Sequence, residues 1–160
     1  MHIELRPANP TDLNDPAPYL SAGVSRGFVD PTEGLSVLGE VLRTLTEENR
    51  EAPWGAFWAF GPDQNAALGL CGFKARPDHN LSVEIAYFTL PLFEGRGVAS
   101  AMARALVQVA EAAAVSAVIA HTLPVENASG EVLRRNGFKH LGRVMDPDDG
   151  EVWAWKLQLM

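Results

Sequence analysis

Residues 83–100 read VEIAYFTLPLFEGRGVAS, and the order of residue types in this stretch decides the fold. From Val83 to Leu90 the chain is an apolar run of strand length in which Glu84 and Thr89 are the polar interruptions. Pro91 ends the run, Gly95-Arg96-Gly97 turns the chain, and an alanine-rich segment begins near Val98. That is a strand, a glycine turn and the start of a helix. The first turn of a helix leaves backbone N–H groups without intrahelical acceptors and carries the positive end of the macrodipole. A glycine turn that lets an anion approach there forms a phosphate site. The turn is not a dinucleotide fingerprint, because no G-x-G-x-x-G is present, nor a P-loop, because no Gly-Lys-Ser/Thr follows. On these residues alone a tight loop that merely needs glycine's backbone freedom stays open beside the phosphate reading.

Upstream, residues 54–60 and 67–74 flank Gly61-Pro62-Asp63 and predict a hairpin, with Arg76-Pro77-Asp78-His79-Asn80 as the next turn. Residues 3–6 alternate and are expected to end as a strand at Pro7; a Pro/Asp/Asn-rich loop through Pro18 leads into a weak helical segment. Leu35, Leu38, Val41, Leu42 and Leu45 recur at three- and four-residue spacing and predict a helix from Thr32 to Glu48. Downstream, the helix from Val98 to about Ala114 offers Met102, Leu106, Val107, Val109 and Ala110 to a core. The apolar run Val115 to Ala120 then predicts a strand parallel to the first, reached by a right-handed crossover. A short helix from about Ser129 to Asn136 ends at Gly137, and residues 138–145 and 151–159 close the chain as a hairpin around Asp146-Pro147-Asp148-Asp149-Gly150. Trp54, Trp58, Trp153 and Trp155 read as core or pocket wall.

Composition narrows the classes. At 160 residues, with no repeat or linker, residues 1–160 are expected to form one domain with a core large enough to need neither disulfides nor a structural metal. The single cysteine, Cys71, reads as a small buried hydrophobe, and no metal site is expected. No window approaches the roughly 18 apolar residues of a membrane span, and MHIELRPANP lacks signal-peptide features, so the expected location is the cytoplasm. A net charge of −7 argues against a nucleic-acid partner and fits an amine-bearing one.

Glu94-Gly95-Arg96-Gly97-Val98-Ala99 resembles motif A of the GNAT superfamily of acyl-CoA-dependent N-acyltransferases, whose pattern runs Gln/Arg, two residues, Gly, one residue, Gly/Ala. Glu94 stands in the first place, Gly97 in the first glycine place and Ala99 in the last. The likeness continues through the Gly69 to Gly72 strand and Arg76-Pro77-Asp78. Farther on it takes in Ala120-His121-Thr122-Leu123-Pro124, Asn127-Ala128-Ser129 and Val132-Leu133-Arg134-Arg135-Asn136-Gly137-Phe138. With the ending Asp146 to Gly150 and Val152-Trp153, these are similar to the RimJ/RimL-like branch.

The resemblance implies an α/β fold with a mixed, mostly antiparallel sheet, splayed between the fourth and fifth strands, and helices on both faces. It implies acetyl-CoA as cofactor and an N-acetyltransferase, a monomer or homodimer, acting on a small-molecule amine or a protein N-terminus by direct attack in a ternary complex. A catalytically silent acyl-CoA-binding or regulatory module is the rival. The pantetheine arm would meet backbone groups near Thr89 and Leu90, and the pyrophosphate the amides of Gly95, Arg96, Gly97, Val98, Ala99 and Ser100. Glu94 departs from Gln/Arg and is expected to face solvent; Arg96 either attracts the phosphates or is only solvated. Asn127 contacts the pantetheine arm or forms an Asx turn. For catalysis, Glu84 matches a glutamate base of some relatives, with a structural strand glutamate as the alternative. Ser129 stands near the thiol, to bond the leaving sulfur in place of another branch's tyrosine, and is also a natural helix N-cap. His121 relays a proton or is a satisfied structural histidine.

Overall fold

In the computed structural model, which describes residues 1–21, 31–48, 50–63 and 65–160, seven strands form one sheet in the order β1-β2-β3-β4-β5-β7-β6. The strands are β1 (Glu4–Ala8), β2 (Ala56–Phe60), β3 (Ala67–Phe73), β4 (Ser82–Thr89), β5 (Ala117–Thr122), β6 (Lys139–Asp146) and β7 (Gly150–Gln158). The helices are α1 (Pro31–Thr46), α2 (Val98–Ala112) and α3 (Ala128–Arg135). Neighbours are antiparallel except β4 and β5, which the α2 crossover makes parallel.

The parallel pair is short. Ser82, Val83 and Glu84 sit opposite Ala117, Val118 and Ile119, and there the pairing stops. Beyond Glu84, β4 stays with β3 as far as Thr89 opposite Gly69, whereas β5 stays with β7 as far as Thr122 opposite Trp153. The sheet therefore opens into a V along the second half of β4.

Each face carries its own core. Met102, Leu106 and Ala110 of α2 pack with Cys71, Phe73, Val83, Ile85, Val118 and Trp155 on one face; Leu38, Leu42 and Leu45 of α1 pack with Trp58, Leu70 and Leu90 on the other. Cys71 is fully buried, as its isolation in the sequence suggests, and burial pushes its thiol pKa up. The buried alanines Ala101, Ala103 and Ala110 let α2 lie close to the sheet. At Gly69 both β4 and α2 come close, since a Cβ there would stand 2.7 Å from Phe88 O and 2.8 Å from Met102 Cε.

Boundaries shift where local chemistry outweighs pattern. β1 runs through Pro7 to Ala8 because it is an edge strand, where a missing N–H can face away from the ladder. α1 starts on Pro31 itself, the first helical position that suits proline. β5 starts at Ala117, because Ala114 turns left-handed and the Val115 amide still donates to Ala110 O at the end of α2. Trp54 precedes β2 rather than joining it. α3 begins at Ala128, one residue before the expected Ser129. At its far end Gly137 has φ +85°, its amide donating to Arg134 O and that of Phe138 to Leu133 O, the bonds of a Schellman motif. The weak helical segment expected after Pro18 falls largely on residues 22–30, outside the described residues, as does the Leu35 side chain. Among the described residues no helix is long and apolar enough to cross a membrane, and no His/Cys/Asp/Glu group could hold a metal ion.

Gly69→Ala is expected to destabilise the fold by roughly 1–3 kcal/mol through overpacking against a backbone carbonyl, read as a lower urea midpoint at unchanged slope. An unchanged midpoint would show that β3 and β4 can separate freely at this point.

Candidate active site

The open half of β4 ends at an uncapped helix. Strand geometry alternates the direction of backbone groups, and here the direction is known: the Lys74 amide donates to Glu84 O and the Leu90 amide to Leu68 O, so even-numbered residues of β4 bond toward β3. Tyr87 and Thr89 therefore turn their backbone groups to the side that β5 has left. The same rule revises the expectation for Leu90, whose N–H is used by β3. Thr89 Oγ1 is buried and, among the described residues, has no hydrogen-bond partner. After a short 3-10 turn at Pro91–Phe93, Gly95 and Gly97 take φ of +76° and +83°, and Gly97 is the N-cap of α2 without any side-chain cap. The first helical amide to find a carbonyl here is that of Ala101, on Gly97 O at 3.0 Å, which leaves the preceding amides of the turn as donors.

These groups line a cleft of about 730 Å³ that also takes in Glu94, Ala128, Ser129, Val132 and Arg135. Gly95, Gly97, Val98, Ala99 and Ser100 all border it, and nothing lies within 4 Å of where a Cβ would stand on either glycine. Glu94 is exposed at the rim. Arg96 lies elsewhere: its guanidinium stands 5.9 Å from the Phe93 ring and borders a different hollow with Asp63 and Leu68. Asn127, rather than Ser129, is the N-cap of α3, its Oδ1 accepting from the Gly130 amide at 3.0 Å. This leaves the Ser129 hydroxyl free for the cleft wall. Ser100 binds the two helices together, since its Oγ accepts from Asn136 Nδ2 at 3.1 Å.

Glu84 projects from the last paired position of β4 onto the α1 face. Its Oε2 lies 3.2 Å from Lys74 Nζ and 3.1 Å from His121 Nδ1, and Asp146 Oδ2 is 3.9 Å from the same imidazole nitrogen. Burial alone would lower the Lys74 pKa, but the Glu84 carboxylate outweighs it and leaves the ammonium above its ordinary value. Asp146 Oδ1 accepts the amides of Asp148 and Asp149, both at 2.9 Å, which holds its pKa below the usual carboxylate range. An ionised Glu84 only accepts, so the His121 proton belongs on Nδ1 and the lone pair of the neutral ring on Nε2. Glu84 is thus better placed to orient His121 than to act as a free base.

Tyr87 completes the arrangement on the other face. Its hydroxyl donates to Ser129 O at 3.4 Å, bridging β4 to the start of α3, and burial raises its pKa, so it remains protonated at neutral pH. Tyr87, Lys74 and Arg135 were not singled out from sequence. The period of two on β4 already separates Tyr87 from Glu84 by three residues and hence by a face, but nothing local says that Ser129 would lie opposite it.

Residues 2–139 match the family model described as an acetyltransferase (GNAT) domain. No curated protein matches the chain at a significant level. Among solved structures, a RimL ribosomal L7/L12 alpha-N-protein acetyltransferase in complex with coenzyme A is similar, with a TM-score of 0.69 and 17% identity over 99% of this chain and 95% of that one. An acetyl transferase from Salmonella typhimurium that modifies the N-terminal serine of ribosomal protein L7/L12 scores 0.68 at 17% identity, over 100% and 96%. A phosphinothricin acetyltransferase from Sinorhizobium meliloti in complex with AcCoA scores 0.64 at 19% identity, over 99% and 89%. At such identities the likeness is one of fold.

The Glu84 contact predicts the neutral His121 ring to be the Nδ1–H tautomer, visible by ¹⁵N–¹H correlation spectra of the neutral ring. Glu84→Leu should remove that bias; an Nε2–H tautomer in the wild-type protein would contradict the contact.

Proposed function

The chain belongs to the GNAT acetyltransferase family, and on that premise we propose that it moves an acetyl group from acetyl-CoA to a primary amine by direct attack in a ternary complex, without a covalent enzyme intermediate. The observation that carries the reading is the open edge of β4 leading straight to the uncapped N-terminus of α2.

The residues present fit the cofactor. A buried hydroxyl without a partner at Thr89, backbone donors at Tyr87 and Thr89, and a glycine turn with open space above both glycines suit a narrow arm that ends in phosphates. Tyr87 and Thr89 would hold the pantetheine arm, the amides from Gly95 to Ser100 the pyrophosphate, and Arg135 the negative charge at the mouth. The side chains of Arg96 and Asn127 take no part in this reading, being turned to Phe93 and to the α3 cap. Acetyl-CoA, when bound, supplies an acyl carbon activated as a thioester.

The chain's own residues handle the protons. Glu84 fixes the imidazole so that His121 Nε2 accepts the proton the amine must shed. Tyr87 Oη, protonated and steadied by α3, gives a proton to the departing sulfur, with the Ser129 hydroxyl beside it as a further donor. One N–C bond forms, one C–S bond breaks, one proton leaves nitrogen and one reaches sulfur. The acceptor is a small-molecule amine or a protein N-terminus; proteins of this fold include a ribosomal-protein acetyltransferase and a phosphinothricin acetyltransferase, so the fold alone does not select between them. The cytoplasm is the proposed location.

Steady-state assays of thiol release test these roles. His121→Gln and Glu84→Gln should each lower kcat by roughly 10²–10⁴-fold, the range of acid–base catalysis, with KM for acetyl-CoA little changed. Tyr87→Phe should lower kcat and alter the alkaline limb of the pH profile. An effect confined to KM would remove the residue concerned from the chemistry.

A further inference from the structure

On the α1 face, a second hollow of about 380 Å³ backs onto β4. Tyr87 and Phe88 border both this hollow and the cleft at the α2 N-terminus, so the two meet across the strand. The first has been given to the cofactor; the second is bordered by Lys74, whose ammonium contacts Glu84, and is the side from which an amine would reach the same point. This rests on the acetyl-transfer reading above.

The lining is mostly apolar, with Val41 and Leu45 of α1 facing Ala86 and Phe88 of β4. Its charged residues are Glu40, exposed on α1, and Lys74. The net charge of −7 suggests an attraction for polycations, but the acids near the site are already engaged. Glu84 is held by Lys74 and His121, and Asp146 accepts two amides of its own turn while facing His121. Among the described residues Glu40 is the one carboxylate lining the hollow, and it has no hydrogen-bond or ion-pair partner there. One exposed carboxylate attracts one ammonium. A second ammonium entering the hollow would meet an apolar wall and no second free carboxylate, because Lys74 already holds Glu84, which disfavours it on both counts.

We propose that the acceptor is a monoamine on an apolar body about the size of one large side chain, admitted between α1 and β4, where the apolar wall and the lack of a second free carboxylate exclude polyamines. The volume lies at the small end of ligand pockets, where an apolar body fills the space and the few polar groups set orientation.

The test compares phenethylamine with spermidine on the whole protein. Expected is a kcat/KM for phenethylamine at least tenfold above that for spermidine in acetyl-CoA-dependent thiol release. Calorimetry with coenzyme A present reads amine binding without turnover and should show the same order. Val41→Asp should lower kcat/KM for phenethylamine tenfold or more while leaving KM for acetyl-CoA unchanged. Should that variant fold poorly by circular dichroism, Ala86→Leu, which fills the hollow without adding charge, should give the same split. Tighter binding of spermidine, or indifference of phenethylamine to both substitutions, would overturn the assignment. Preferential binding of phenethylamine with no thiol release from any amine would instead count against the acetyl-transfer reading and leave this one standing.

Discussion

The parting of β4 from β5 after Glu84 is the constraint on which the site depends. Three residue pairs hold the strands parallel, and then each follows its antiparallel neighbour. An interior strand with one unpaired edge would ordinarily leave buried amides and carbonyls unsatisfied, at a cost of about 1–3 kcal/mol for each group. At the end of this open edge the buried Thr89 hydroxyl is a further polar group without a hydrogen-bond partner among the described residues. The same opening brings the N-terminus of α2 to the end of β4 through a turn that two positive-φ glycines make short. Strand edge and helix N-terminus thus form one continuous surface that ends at the positive pole of the helix dipole.

The V also sorts the chemistry by face. Because side chains alternate, Glu84 meets Lys74 and His121 on the α1 face, while Tyr87, three residues on, meets Ser129 on the α2 and α3 face. The Glu84–His121 pair and the Tyr87 hydroxyl are therefore held on opposite sides of one strand. The helices that fix them are secured independently: α3 by its Asn127 cap, its Schellman end and the Asn136 bridge to Ser100, α1 by leucines buried against Trp58 and Leu70.

Much of this was legible in the chain. The strand, glycine turn and helix of residues 83–100, the two hairpins, the crossover and the Gly137 stop follow from local rules, each within a few residues of the observed bounds. The motif order carried the family. Contacts between residues far apart in sequence were not legible. Glu84 reads alone as an isolated acid in an apolar strand, and only the fold shows that a lysine ten positions earlier and a histidine on β5 engage it. Local rules also compete with one another: Asn127 and Ser129 are both sound N-caps, and geometry selected Asn127, which released Ser129 to the cleft. Arg96 is placed by its contact with Phe93, a choice that a charge count cannot reveal.

The central claim, that the open edge of β4 and the first turn of α2 together hold acetyl-CoA, is tested most directly by amide hydrogen exchange with and without coenzyme A. The account predicts slowed exchange at Tyr87, Thr89 and the amides from Gly95 to Ser100, with Leu90 unchanged because its N–H already bonds Leu68. Protection confined to other parts of the chain, or an affinity for coenzyme A that leaves these amides exchanging at their free rates, would contradict it.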